Sequence, residues 1–285
     1  MRWHRRKGSF AGETVVVVGG SSGIGRAAAA GFARRGARVV LVARGADRLA
    51  AAATAIREQG GDAVAFPADV THPAEINALA RAVADLGELG ALVYGAGELE
   101  LAPVAGLDLE RARRAMDVLY WGAVMVTQAL LPQLARGARR SIVYLSSLSV
   151  PCTPPFFAAY AAPKHALRGF ALSLRQELRP LGFHVGLVSP GPVDTPLVAG
   201  KLHGEWFPLP PGIPVLTAER AGEAVVRAVV NRRDEMVVPR RLQAIAPVGY
   251  AFPRLVERYY HLTVRGWRQR LAEIAARFSS WGPEG

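Results

Sequence analysis

The sequence predicts a doubly wound α/β fold, a single domain built on one parallel sheet of about seven strands and followed by a helical C-terminal extension. Three observations carry this reading. Short apolar runs alternate along the chain with longer stretches of helical pattern, as in successive strand–helix–strand units. The runs are continuous rather than alternating, as in Val15–Val18, which fits strands buried on both faces. A glycine-rich turn lies between the first run and the first helical stretch, where such folds bind phosphate.

Taken in order, Thr14–Val18, Arg38–Val42, Ala63–Phe66, Ala91–Tyr94, Ser141–Ser146, His184–Ser189 and Glu235–Val238 read as strands, each bounded by Gly, Pro, Asp or Ser. Between them, Gly23–Arg35, Ala46–Gln59, Ala74–Leu86, Leu109–Ala135, Ala158–Arg179 and Ala218–Asn231 are long enough for helices. Four prolines make Phe207–Val215 an irregular loop. The organisation is a basic tail over residues 1–12, a dinucleotide-binding catalytic domain over 13–239 and an amphipathic helical extension over 240–285.

Composition narrows the function classes. The chain has 285 residues, half of them apolar, which is enough for a substantial core. Cys152 is the one cysteine, so no internal disulfide forms, and no CxxC or HExxH spacing suggests a metal. No segment reads as a signal peptide or as a run of about 18 uncharged apolar residues. The expectation is a soluble, cytoplasmic protein, membrane-associated at most through its surface. The net charge of +12 raises nucleic acid as a partner, but all basic residues except Lys7, Lys164 and Lys201 are arginines in an Ala-rich chain. No nucleic-acid module is recognisable, so no nucleic-acid partner is expected.

The turn Gly19-Gly-Ser21-Ser22-Gly23-Ile24-Gly25 opens the first helix. Its glycines allow a sharp turn and a close approach by a pyrophosphate, and the helix N-terminus offers free N–H groups. The second strand ends at Val42-Ala43-Arg44. An acidic residue there would bind a ribose 2′-hydroxyl, whereas Arg44, with Arg26 as a further candidate, suits a 2′-phosphate. NADP(H) is therefore favoured over NAD(H).

Tyr160-Ala-Ala-Pro-Lys164 places a phenol and an ammonium on one helix face. A phenol near an ammonium and an oxidised nicotinamide ring becomes a better acid/base at neutral pH, so a lowered Tyr160 pKa is expected.

The spacing of Gly19, Gly23 and Gly25, the Tyr160/Lys164 pair and Ser189-Pro190-Gly191-Pro-Val193-Asp-Thr195 together resemble the classical short-chain dehydrogenase/reductase family over roughly Glu13 to Val238. The resemblance implies a Rossmann-type sheet and hydride transfer with Tyr160 as general acid/base. It implies that Ser147, 13 residues before Tyr160, bonds the substrate oxygen, with Ser146 and Ser149 as neighbours separated from it only by spacing. It further implies adenine contact by Asp69 and Val70, a cofactor wall at Ala96 and Gly97, nicotinamide contacts from Val193 and Thr195, and a homo-oligomer.

Three positions depart from the family pattern. Val18 replaces a threonine. Gly95 and Leu119 stand where the family has asparagines, one bracing the sheet and one shaping a proton relay. A catalytically weak NADP-binding regulator or scaffold is the alternative these departures leave.

The segment Leu197–Leu216, with Trp206, Phe207, Leu209 and Ile213, and the pair Phe156/Phe157 suggest a small hydrophobic carbonyl or alcohol substrate. In the extension, an apolar stretch over Ala244–Phe252 precedes a stripe of Val256, Tyr260, Val264, Trp267, Leu271, Ile274 and Phe278 with arginines off it. That stripe packs on its own domain or a partner, the favoured reading, or lies on an anionic membrane.

Overall fold

The structure, a computed structural model, describes residues 8–199, 207, 212–263, 272–273 and 275–276. The strands β1 (Glu13–Val18), β2 (Arg38–Ala43), β3 (Asp62–Pro67), β4 (Glu88–Tyr94), β5 (Ser141–Leu145), β6 (His184–Pro190) and β7 (Glu235–Val238) form one sheet in the order β3-β2-β1-β4-β5-β6-β7. Every pairing is parallel. The order reverses between β1 and β4, and in such sheets ligands bind beyond the carboxyl ends of the strands at that crevice.

The strand period of two divides the core. Val15 and Val17 point to one face, where they meet Phe32 of α1 (Gly23–Ala33), Leu49 and Ile56 of α2 (Ala46–Glu58), and Val225 and Val229 of α7 (Ala218–Val230). Val16 and Val18 point to the other, against Leu79 of α3 (Pro73–Ala84), Leu130 of α5 (Gly122–Arg136) and Leu167 of α6 (Ala158–Leu178). Each such buried aliphatic side chain contributes about 1.5–3 kcal/mol. Continuous apolar runs are therefore required here, because neither sheet face meets water.

The predicted helix Leu109–Ala135 is instead α4 (Leu109–Met116), a π turn over Asp117–Trp121 and then α5. Asp108 caps its start, accepting from the N–H groups of Glu110 and Arg111 at 3.0 and 3.1 Å. In the π turn the Gly122 N–H reaches back five residues to the Asp117 carbonyl, and the Tyr94 hydroxyl donates to the Val118 carbonyl at 2.5 Å. A β-carbon at Gly122 would lie 2.5 Å from the Tyr94 oxygen and 2.8 Å from Val70 Cγ2. The turn thus lets the helix settle against β4 without a side chain at that point. Periodicity does not distinguish such a turn from regular helix. Leu109–Arg136 is also long and apolar enough to cross a membrane by length and composition, contrary to the sequence expectation. Its Val126, Leu130 and Leu134 are buried within the core.

After β7 the chain forms α8 (Ile245–Ala251) and α9 (Pro253–Thr263), a hairpin that folds back over the domain. Of the predicted stripe, Val256 and Tyr260 lie on α9; Val264, Trp267, Leu271, Ile274 and Phe278 lie outside the described residues. Gly249 rests directly on the Pro151 carbonyl, leaving no room for a β-carbon. The described part of the extension therefore packs on its own domain, as favoured.

Candidate functional site

A groove of about 330 Å³ crosses the carboxyl ends of β1, β2 and β4. The turn after β1 forms its floor. Gly19 and Gly23 adopt φ of +81° and +52°, a region costly for other residues. A β-carbon at Gly19 would come within 2.5 Å of the Gly95 carbonyl oxygen. Ser22, the N-cap of α1, makes no side-chain cap, so the first N–H groups of that helix face the groove uncapped. A bare backbone cradle at an uncapped helix N-terminus fits a pyrophosphate.

Of the predicted cofactor residues, Gly19, Ser21, Ser22, Gly23, Ile24, Gly25, Arg44, Asp69, Val70, Ala96, Gly97, Tyr160, Lys164, Pro190 and Thr195 line this groove. Gly191 and Val193 do not; they line the neighbouring cavity, as does Ser147. Arg26 is exposed and stands outside both linings. The second arginine of the groove is Arg48, one turn into α2 from Arg44. The sequence signal for it, a basic residue four positions after Arg44, is weak. The Asp69 carboxylate accepts from the Thr71 N–H and hydroxyl at 2.9 and 2.8 Å and lies 4.0 Å from Arg44 and 3.7 Å from Arg114. Burial alone would raise its pKa; the Thr71 bonds and the Arg44 charge hold it below the usual carboxylate value.

Of the three family departures, Val18 and Gly95 line the groove and Leu119 does not. A side chain at Gly95 would meet Leu145 Cδ1 at 2.6 Å, so Leu145 occupies the space of the missing brace. Leu119 is buried inside the π turn.

Tyr160 borders both the groove and the second cavity. The neighbouring Ser147 hydroxyl favours its ionised form. Ser147 Oγ also accepts from the Ser149 N–H at 3.1 Å. Its loop is tied to β6 by Ser146 N–H to the Val188 carbonyl at 2.8 Å and Leu148 N–H to the Pro190 carbonyl at 3.0 Å. The hydroxyls of Ser146 and Ser149 are buried and meet no partner. Ser147 and Ser149 line the cavity that Tyr160 borders, and Ser146 lines the groove. Lys164 Nζ donates to the Leu145 carbonyl at 2.6 Å and lies 5.7 Å from the Tyr160 ring centre.

The protein's own groups do not lower the Tyr160 pKa. Burial pushes the phenol above its ordinary value, and the Ser147 hydroxyl offsets only part of this. Burial also pushes the Lys164 ammonium down to about 7, which weakens the charge that was to stabilise phenolate. Desolvation, invisible in a linear motif, outweighs the neighbour.

The second cavity, of about 450 Å³, is walled by Leu99, Phe157, Val198, Phe207 and Ile213 and, from the extension, by Ile245, Val248, Leu255, Val256, Tyr259 and Tyr260. The Phe157 ring stacks edge-on to Tyr160 at 6.0 Å and to Phe207 at 5.5 Å. Phe156 is buried but outside this lining. Trp206 and Leu209 lie outside the described residues. The extension residues escaped the sequence reading because a helical stripe does not state what it covers. Among the described residues no cluster of His, Cys, Asp or Glu could hold a metal.

The short chain dehydrogenase family matches residues 13–206. The 1-deoxy-11-beta-hydroxypentalenate dehydrogenase of Streptomyces exfoliatus is 39% identical over 189 residues, covering 65% of this chain and 69% of that protein. The 11-beta-hydroxysteroid dehydrogenase 1A of Arabidopsis thaliana is 30% identical over 86% of this chain and 74% of its own. A short-chain type dehydrogenase/reductase from Mycobacterium ulcerans superposes with a TM-score of 0.72 at 28% identity, over 80% of this chain and 88% of its own. A backbone cradle at the sheet's reversal point, a tyrosine where two cavities meet and these likenesses have one explanation: the chain belongs to the short chain dehydrogenase family and is an NAD(P)-dependent oxidoreductase of a small molecule.

Proposed function

We propose that the protein moves hydride between NADP(H) and a bulky, largely apolar carbonyl–alcohol pair, with Tyr160 as the general acid/base. The observation that carries this is the meeting of the groove and the apolar cavity at Tyr160. A nicotinamide dinucleotide bound in the groove supplies or accepts the hydride. Everything else falls to the chain's own residues. The apolar walls take the substrate's carbon frame and exclude water. The Ser147 hydroxyl hydrogen-bonds the reacting oxygen, and Tyr160 exchanges a proton with that oxygen. Lys164, anchored on the Leu145 carbonyl, holds a proton near the phenol with a pKa close to physiological pH.

Arg44 and Arg48 support the phosphorylated cofactor. Both line the groove where β2 gives way to α2, with no carboxylate at the strand end to take a 2′-hydroxyl. Guanidinium groups pair well with a phosphate dianion. Relatives named for a hydroxypentalenate and a hydroxysteroid support an alcohol–carbonyl pair.

The test is NADPH and NADH binding to the purified protein, alongside NADPH oxidation against bulky apolar ketones and aldehydes and NADP reduction against the matching alcohols. Turnover that favours NADPH and grows with substrate apolar area is expected. Tight NADPH binding without turnover would replace this reading by that of a catalytically weak cofactor-binding regulator.

A further inference from the structure

The outer surface of the α8–α9 hairpin has no explanation in catalysis. Twelve large apolar side chains are exposed among the described residues, and six of them crowd into this hairpin: Val248, Tyr250, Phe252, Leu255, Tyr259 and Leu262. Leu262 is 74% and Phe252 58% exposed. Val248, Leu255 and Tyr259 also line the apolar cavity, whereas Tyr250, Phe252 and Leu262 stand outside it, so the exposed apolar surface continues from the cavity's wall outward. Contiguous exposed apolar surface of this kind marks an interaction site.

The charges beside it are one-sided. Arg240, Arg241, Arg254 and Arg258 are exposed, and Glu257 is the only acidic residue between positions 240 and 263. None of the four arginines forms an ion pair with a described residue. Apolar and tyrosyl side chains interleaved with unpaired arginines suit a surface that is apolar beneath and anionic above. A second copy of a chain with net charge +12 would instead set like charge against like.

We propose that the α8–α9 hairpin seats on an anionic lipid surface, and that the apolar substrate enters the cavity from it. The delivery half rests on the apolar-substrate reading above; the docking half does not.

The test uses the full chain and flotation with vesicles of phosphatidylcholine, with and without phosphatidylglycerol. The wild type is expected to float with the anionic vesicles and to be released by raised salt. Arg254→Ala with Arg258→Ala is expected to weaken partitioning about 25-fold, roughly fivefold for each arginine. Phe252→Glu with Leu262→Glu, two positions outside the cavity lining, is expected to abolish flotation. Both double variants are expected to keep NADPH affinity and turnover of a water-soluble ketone, and to lose rate on an apolar ketone dissolved in anionic vesicles. Equal flotation of wild type and variants, or none by the wild type, would overturn the lipid surface. So would light scattering in which Phe252→Glu with Leu262→Glu splits a wild-type dimer that ignores vesicles. Vesicle binding by a protein that turns over no carbonyl compound would overturn the substrate reading and leave the docking surface standing.

Discussion

Tyr260 of α9 donates its phenol hydrogen to the backbone carbonyl of Cys152, 3.3 Å away. Cys152 in turn bonds through its N–H to the Leu148 carbonyl at 3.1 Å. The extension is thereby fastened to the loop that presents Ser147. Removing the hydroxyl in Tyr260→Phe leaves a buried carbonyl unpaired, at about 1–2 kcal/mol. Gly249→Ala pushes a methyl into the Pro151 carbonyl and costs about 1–3 kcal/mol. Both variants are expected to raise KM for apolar substrates several-fold while leaving NADPH affinity alone. An equal loss of both affinities would show general unfolding rather than a displaced wall.

Tyr160→Phe keeps the ring that packs against Phe157 and removes the proton. Turnover is expected to fall about 10²–10⁴-fold, the usual share of a positioned acid/base, with NADPH binding unchanged in a fluorescence titration. Undiminished turnover would remove Tyr160 from the mechanism.

Arg44→Ala and Arg48→Ala are each expected to weaken NADPH binding about tenfold, as for one charge-assisted hydrogen bond. NADH binding should move little, because neither residue has a phosphate to meet on that cofactor. A parallel loss for both cofactors would assign the arginines to the groove's architecture instead.

His184 supplies a pH test. Its Nε2 lies 3.0 Å from the Arg233 carbonyl and its Nδ1 2.8 Å from the Ser141 hydroxyl, an arrangement that a neutral ring can satisfy with one donor and one acceptor nitrogen. Burial pushes its pKa down to about 4 from 6.5. The unfolded chain therefore binds the proton first. The stability from the neutral ring is complete above about pH 6.5 and is lost as pH falls toward 4, about 3 kcal/mol in all. The melting temperature should drop across that window, and less steeply in His184→Asn. Identical slopes would place the acid sensitivity elsewhere.

Strands and most helices were legible because a sheet covered on both faces demands continuous apolar runs, and a groove at its reversal point demands the glycine turn. The phosphate cradle and the Tyr160/Lys164 pair were legible for the same local reason. What stayed hidden depends on contacts between distant segments. Gly95 reads as a lost brace until Leu145 is seen filling its place. The π turn at Leu119 goes with the close seating of Gly122 on Tyr94, which no helical period records. The direction of the Tyr160 pKa depends on burial, which a motif cannot display.

The family match stops at residue 206, whereas a quarter of the residues lining the apolar cavity come from residues 245–260. Part of the substrate wall thus lies in a stretch of the gene beyond the one that carries the chemistry. A relative could acquire a new substrate by exchanging its last few dozen codons, while the hydride-transfer apparatus passes unchanged from parent to descendant.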